Sequence, residues 1–417
     1  MVERTIIAIP ARYAASRLPG KPLRLLAGRP LIAHVVDRAR LMTGVEVVVA
    51  TDDQRIAEVV QAMGVTVAMT RPDHATGSDR LAELVDTMGL PDDCVVVNLQ
   101  GDEPLMPVSA LHAVVGALRD DEGAAAATLA TPVVSVREVF DPSCVKVVCD
   151  NAFRALYFSR APIPWARDCW AIERNELPTP KPLRHLGLYA YRAATLRRFS
   201  RLPQAQLERV ESLEQLRLLE NGMAIAVRMA PEPIPPGVDT EEDLARVAAE
   251  LELRSQVPRD LKRVLFVCLG NICRSPLAEA YAATRFDALG LGIETRSAGT
   301  IGQHQGAGAD PGSIAVARQH GIDLTGHRAR PVRAADFEEF DLVVALDSRN
   351  LDDLSRQCPG RHAHKLVRLL DFAVGCGHRE VPDPYGGTAH DFARSFALIR
   401  AGVDGLSACL STGRLQP

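Results

Sequence analysis

No apolar stretch of this sequence approaches the roughly 18–20 residues that a bilayer span needs, so nothing in it reads as a transmembrane helix. The N-terminus runs from Met1-Val2-Glu3-Arg4-Thr5 straight into Ile6-Ile7-Ala8-Ile9 and lacks the charged, apolar, then small layout of a signal peptide. Charge of one sign is missing too. The formal net charge is −4, which gives no bulk attraction to nucleic acid or to an anionic membrane. The nine cysteines are dispersed, odd in number and without disulfide-framework spacing, as expected in a reducing compartment. Together these absences lead us to expect a cytoplasmic protein. There is no internal repeat and no low-complexity tract, and the short run Ala124–Ala127 reads as a turn or helix edge.

What is present suits a soluble enzyme of more than one domain. At roughly 100–200 residues per domain, 417 residues allow two or three. The first half alternates strand and helix signals. Thr5–Ile9, Glu46–Ala50, Val65–Met69 and Cys94–Asn98 are short β-rich runs; Leu31–Met42, Gln54–Met63, Ser78–Met88 and Val108–Leu118 have helical spacing. Val145–Cys149 and Leu186–Tyr191 read as further strands, and Glu208–Asn221 as one helix stopped by Gly222. A proline-rich segment, 229–237, precedes an acidic helix over 241–253 and then a polar stretch without periodicity, 254–261. The pattern restarts at the strand Arg263–Cys268, with a helix over Pro276–Leu289, a strand over Ile293–Ser297, helices over Gly312–His320 and Asp336–Glu339 and a strand over Leu342–Leu346. Strands alternating with helices predict α/β architecture: two Rossmann-like three-layer domains with mostly parallel sheets, 1–253 and 262–417, joined by a linker.

The first chemistry lies after strand one. The loop Pro10–Pro22 carries Arg12, Arg17 and Lys21 with Gly20, at the sheet's carboxyl edge where ligands bind. Fixed cations and backbone amides there can wrap a triphosphate and neutralise a leaving pyrophosphate, although the Walker A spacing is absent. Asp102, in Leu99-Gln100-Gly101-Asp102-Glu103-Pro104, is a hard oxygen ligand of the kind that Mg2+ shared with phosphates requires; the alternative is an acidic turn. Asp239, after Pro235-Pro236-Gly237, reads on its own as a helix N-cap.

Together, several blocks resemble the 3-deoxy-manno-octulosonate (Kdo) cytidylyltransferases, the CMP-Kdo synthetases. They are the loop 10–22, Asp73–Arg80, Gln100–Pro104, Ala155–Arg160, Arg184–Arg192, Glu211–Arg217 and Gly237–Thr240, in family order over about residues 3–252. The resemblance implies a nucleotide-diphospho-sugar-transferase-like fold and transfer of CMP from CTP to Kdo, for lipopolysaccharide or another surface polysaccharide. It places Arg12 and Lys21 on the triphosphate and Mg2+ on Asp102 and Asp239. It puts Thr76, Gly77 and Arg80 near the cytosine, and Gln100, Arg160, His185, Tyr191, Glu211 and Gln215 around the sugar acid, with Arg160 and His185 suited to its carboxylate. It also implies a homodimer. The family's Gln-Ser-Gly reads Ala75-Thr76-Gly77 here, so another Kdo-like or nonulosonic acid stays open as substrate.

The second chemistry begins at Cys268. Val264–Val267 is a buried strand, followed by Cys268-Leu269-Gly270-Asn271-Ile272-Cys273-Arg274-Ser275 and a helix from Pro276. Cysteine, five residues, arginine also arises as a structural cysteine before a helix arginine. The strand before, the helix after, and Gly270 and Asn271 inside favour a phosphate-binding loop. Cys268 is then the nucleophile, the Arg274 fork grips the phosphate oxygens and Ser275 donates to the thiolate. Asp383, in Asp383-Pro384-Tyr385, would be a turn residue alone; paired with the loop it is the general acid, protonating the leaving oxygen and then activating water.

This half resembles the low-molecular-weight protein tyrosine phosphatases over about residues 262–410. The matching blocks are Val267–Pro276, Ser297–Thr300, Gly321–Asp323 with Gly326–Ala329, Leu346-Asp347 with Asn350, and Asp383–Tyr385. The resemblance implies hydrolysis of phosphotyrosine-type phosphomonoesters without a cofactor, on a phosphorylated protein or a small phosphomonoester. It makes Asn271 a buttress of the loop and Cys273 a protective disulfide partner for Cys268. The segment Ile301–Gly306 lacks the tryptophan or tyrosine that often lines the aryl pocket. Arsenate reduction, with Cys358 and Cys376 at unfavourable spacing, and a non-catalytic regulatory module remain the alternatives.

Overall fold

The computed structural model describes residues 4–14, 18–74, 76–170, 175–258, 260–373 and 378–414. The chain divides into two compact units, 1–247 and 248–417. Arg17, Ala75 and Cys376 lie outside the described residues.

In the first unit, strands β1 (Thr5–Ala11), β2 (Glu46–Thr51), β3 (Thr66–Met69), β4 (Val95–Asn98), β5 (Ala124–Pro132), β6 (Lys146–Cys149), β7 (Ala155–Ser159), β8 (Leu183–Arg192) and β9 (Ala224–Met229) form one nine-stranded sheet. The main path is β9-β5-β8-β4-β1-β2-β3, with β6 joining β8 to β7. Pairings of β1 with β2 and β4, of β2 with β3 and of β9 with β5 are parallel. Strand β8 runs antiparallel to both its neighbours on the path, and β6 and β7 form an antiparallel pair.

The apolar runs of β1 and β4 are buried on both faces. Ile7 and Ile9 pack with Val35, Val95, Val97 and Leu111 on one side. Ile6 and Ala8 pack with Val96, Leu81 and Val85 on the other. Alternate residues of one strand thus feed two cores, which gives three layers. Each fully buried Ile or Val contributes about 1.5–3 kcal/mol of transfer free energy. Helices α1 (Leu31–Arg40), α2 (Gln54–Ala62), α3 (Gly77–Thr87) and α4 (Val108–Asp120) follow their expected segments closely.

Two local expectations fail. Ala124–Ala127 is not a turn but the start of β5, buried between β8 and β9. Alanine is a weak strand former, but its small side chain suits a central strand covered by α4. The single helix expected over 208–221 is broken into α5 (Gln206–Glu211) and α6 (Leu216–Glu220). Ser212 adopts a left-handed φ of 52° there. The Arg160 guanidinium takes the carbonyls of Glu211 (2.8 Å) and Ser212 (3.4 Å), which a continuous helix would have used itself.

The second unit is a four-stranded parallel sheet, in the order β11-β10-β12-β13, built from β10 (Arg263–Cys268), β11 (Glu294–Gly299), β12 (Leu342–Ala345) and β13 (Leu366–Arg368). The two-face pattern recurs: Val264 and Phe266 face one core, Leu265 and Val267 the other. A helix, Ala389–Arg414, escaped the sequence reading and packs against the helix Arg274–Ala288. Among the described residues, no helix is long and apolar enough to cross a membrane.

Candidate functional sites

Parallel pairing sets Ala8 of β1 beside Asn98 of β4, so the loops leaving these two strands emerge together. Two glycines let them approach. A Cβ on Gly101 would meet the Pro10 carbonyl at 2.9 Å, and one on Gly237 would meet the Asp102 carbonyl at 3.1 Å. The Val238 amide donates to that same Asp102 oxygen at 2.8 Å, which brings the Pro-Pro-Gly turn to the sheet edge. The result is an open cleft of about 350 Å3 lined by Arg12, Lys21, Thr76, Gly77, Arg80, Gln100, Asp102 and Asp239.

At its floor the Lys21 ammonium donates to Asp102 Oδ2 at 2.6 Å and to Asp239 Oδ1 at 3.0 Å. Asp239 is therefore not the helix cap suggested by its position. Thr240 Oγ1 accepts the Asp243 amide at 3.2 Å, and the Asp243 carboxylate accepts the Thr240 amide at 3.1 Å, so these two residues cap the helix. Thr76 caps α3 through its hydroxyl, which accepts the Asp79 amide at 3.2 Å. Arg80 is buried with its guanidinium 3.3 Å from Asp52 Oδ2 and bonded to Thr70. Gln100 donates to Asn98 Oδ1 at 3.2 Å.

The residues expected around the sugar acid separate into groups. Arg160 and Glu211 do not line the cleft. The Glu211 carboxylate accepts from Ser159 Oγ at 2.6 Å and from the Arg160 amide at 2.9 Å, which braces the broken helix. His185 bonds Thr128 Oγ1 at 3.1 Å, and burial pushes its pKa down to about 3, so it is a neutral imidazole. Tyr191 is buried and stacks on Tyr189 with 5.5 Å between ring centroids.

Beside these rings lie atoms without hydrogen-bond partners. The Tyr189 hydroxyl, Glu214 Oε2 and Gln215 Nε2 are sealed from solvent and have no protein hydrogen-bond partner, so each needs a water or a ligand atom to satisfy it. Burial raises the Glu214 carboxyl above the ordinary carboxylate range, although the Thr76 and Ser78 hydroxyls pull the other way. Tyr189 and Glu214 had no assigned role in the sequence. Both stand inside recognised blocks, and only burial distinguishes them from their neighbours. Glu103 is similar: its Oε2 is unpaired and burial beside Asp102 pushes its pKa up to about 8. It lines a second cavity of about 210 Å3 with Arg184 and His185.

In the second unit, β10 delivers Cys268 to the start of a loop that closes at Arg274, the first residue of helix α7 (Arg274–Ala288). Cys268 Sγ lies 3.0 Å from Ser275 Oγ. Asn271 is fully buried at a left-handed φ of 55°. Its Nδ2 donates to Ser275 Oγ at 3.0 Å and to Ser297 Oγ at 2.9 Å, and its Oδ1 accepts the Arg330 amide at 2.9 Å. Gly299 permits the loop's seat, since a Cβ there would meet the Leu269 carbonyl at 2.7 Å. Leu269, Gly270 and Ile272 complete the turn, and His304 stands over Gly270, 2.8 Å from where a Cβ would be. His304 also faces the Tyr385 ring, with centroids 6.0 Å apart.

The Arg274 fork is divided. Nη1 donates to Asp347 Oδ2 at 2.5 Å and to the Val381 carbonyl at 3.0 Å, while Nη2 reaches Asp383 Oδ2 at 2.9 Å. Its buried Nε has no partner. Asp347 was missed as a site residue because it also caps a helix, accepting the Asn350 amide at 2.6 Å. Cys268 and Cys273 are both free thiols, and burial pushes the Cys273 thiol up. Cys358 is a half-buried free thiol.

A family model described as "Cytidylyltransferase" matches residues 6–225, more than half of the chain. The chain belongs to the cytidylyltransferase family. To this cytidylyltransferase part is joined a second domain: residues 263–414 match the family described as "Low molecular weight phosphotyrosine protein phosphatase". A 3-deoxy-manno-octulosonate cytidylyltransferase of Stenotrophomonas maltophilia (strain R551-3) is 54% identical over 256 residues, which are 61% of this chain and 98% of that protein. A solved CMP:2-keto-3-deoxy-manno-octonic acid synthetase complexed with CTP is 42% identical, covering 60% of this chain and 99% of its own, with a TM-score of 0.55. For the second part, a protein tyrosine phosphatase of Entamoeba histolytica with Hepes in the active site is 35% identical over 35% of this chain and 94% of its own, with a TM-score of 0.34. The two family matches together make the chain a fusion of a cytidylyltransferase with a low-molecular-weight phosphatase domain.

Proposed function

We propose that the first unit makes CMP-Kdo from CTP and Kdo with Mg2+. The observation that carries this is the convergence of Lys21, Asp102 and Asp239 in a cleft walled by Arg12 and Arg80. The donor set suits Mg2+: two hard carboxylate oxygens share one cation position, and Mg2+ commonly takes one or two carboxylates and fills its shell with phosphate oxygens and water. When bound there, Mg2+ screens the charge on the α-phosphate. Arg12 and Lys21 hold the triphosphate, and Gly77 and Arg80 flank the base. The anomeric hydroxyl oxygen of Kdo attacks the α-phosphorus, the bond from that phosphorus to the bridging oxygen breaks, and pyrophosphate leaves; the hydroxyl proton goes to water. Gln100, Gln215, Tyr189 and Glu214 surround the sugar acid, with His185 as a neutral donor or acceptor and Tyr191 as the stacked support. Arg160 and Glu211 position the loop that carries Glu214 and Gln215.

In the second unit Cys268 attacks the phosphorus of a phosphotyrosine-type ester. Arg274 turns its fork to the phosphate oxygens, Asp383 protonates the departing oxygen, and water activated by Asp383 then breaks the cysteinyl phosphate. Ser275 stabilises the thiolate, and Asn271 fixes the loop. By the same reading the protein acts in the cytoplasm as a homodimer, which light scattering of the purified chain checks. The substrate test is pyrophosphate release from CTP with a panel of Kdo and other nonulosonic acids. Kdo must be turned over fastest; preference for another acid would overturn the assignment.

A further inference from the structure

Lys21 stands where a divalent cation would stand. Its ammonium, only 14% exposed, is within hydrogen-bond distance of one oxygen from each of Asp102 and Asp239. These carboxylates come from segments far apart in sequence and are brought together by the Gly237–Val238 contact with the Asp102 carbonyl. Two carboxylates in one cleft repel, and an ammonium between them removes that repulsion. It also occupies the oxygens that a divalent cation needs. A divalent ion cannot take both oxygens while the ammonium stays, because the two positive charges would then share one small, partly buried space.

We infer that Lys21 is a displaceable counter-ion. Before substrates arrive it holds Asp102 and Asp239 in position and keeps divalent ions out. A triphosphate in the same cleft offers it other anionic partners, and the carboxylates are then released to the cation. Nucleotide and cation binding are therefore coupled through one side chain, each strengthening the other. This inference rests on reading Asp102 and Asp239 as cation ligands.

Mn2+ is the probe, titrated into the full chain and followed by the loss of its free electron-paramagnetic-resonance signal. Without nucleotide, Lys21→Met and Lys21→Gln should bind Mn2+ at least about fivefold more tightly than the wild type, the lower end of ordinary coupling between sites. Lys21→Arg, which keeps the charge, should bind like the wild type, and CTP should narrow the difference. Wild-type affinity in both neutral variants, with unchanged circular dichroism, would overturn the proposal while leaving the cation site standing. Wild-type Mn2+ binding by Asp102→Asn in the presence of CTP would instead overturn the cation site itself. A measurement on the unaltered side chain guards against misfolded variants. Lys21 is one of only five lysines in the chain, so 15N-lysine labelling resolves its ammonium signal, identified by its absence from Lys21→Arg. Mg2+ with CTP must shift that signal, and an unmoved signal would overturn the proposal.

Discussion

Asp383 Oδ2 accepts a hydrogen bond from Arg274 Nη2 at 2.9 Å, so the carboxylate proposed as the acid and the guanidinium proposed to grip the phosphate are already in contact. The segment that carries Asp383 is tied to Arg274 by a further hydrogen bond, to the Val381 carbonyl at 3.0 Å. On the proposed role of Asp383 as the acid that protonates the leaving oxygen, its removal should matter most where that oxygen is basic. In Asp383→Asn, kcat for phenyl phosphate should fall by roughly 10²–10⁴. The fall for para-nitrophenyl phosphate, whose leaving group needs little protonation, should be smaller. Steady-state kinetics on the two esters checks this, and equal losses would remove Asp383 from the acid role.

The loop itself depends on Asn271. Asn271→Ala deletes three side-chain hydrogen bonds and puts a Cβ residue without polar compensation at a positive φ. Unfolding of the second unit should become easier by about 3–5 kcal/mol. Asn271→Gly should recover about 1 kcal/mol of this, since glycine tolerates the dihedral. Urea unfolding followed by circular dichroism reads both.

A buried carboxylate away from either site sets a pH dependence. Asp336 is fully buried, and its Oδ2 lies 2.8 Å from Arg330 Nη1 and 2.7 Å from the Arg333 amide. Burial alone would raise its carboxyl, but the two arginines and the amide outweigh it and hold it below the ordinary range. A lowered folded-state pKa contributes stability above the unfolded value, near 3.9 for Asp, and loses it as pH falls through the folded value. Asp336→Asn should therefore cost about 3 kcal/mol at pH 7. The gap to the wild type should narrow below about pH 4. Urea midpoints at the two pH values test the sign.

The sugar-acid assignment separates two glutamates of one sequence block. Glu214 has an unpaired buried oxygen, whereas both Glu211 oxygens are used by Ser159 and Arg160. Glu214→Gln should raise KM for Kdo about tenfold or more, as loss of one charged hydrogen bond implies, with KM for CTP little changed. Glu211→Gln should lower the urea midpoint and move both KM values together.

The sequence reveals the sites by their strongest local signals and hides what depends on packing. Strand, Cys268 loop and helix are contiguous, so that site is legible almost whole. Asp102 and Asp239 are separately ambiguous, and only the fold brings them to one ammonium. β5 was hidden because alanine carries little strand preference, and the break at Ser212 because the Glu208–Asn221 pattern is helical throughout; Arg160, distant in sequence, interrupts it. Asp347 and Glu214 are invisible for a related reason. One looks like a helix cap and the other like a helix-surface acid until burial and pairing are known.

The central claim, two separate chemistries in one chain, is tested most directly by measuring both activities in Asp102→Asn and Cys268→Ser. Asp102→Asn should lose pyrophosphate release from CTP and Kdo while still hydrolysing para-nitrophenyl phosphate. Cys268→Ser should do the reverse. Pyrophosphate release by Asp102→Asn at the wild-type rate, or ester hydrolysis by Cys268→Ser, would contradict the account.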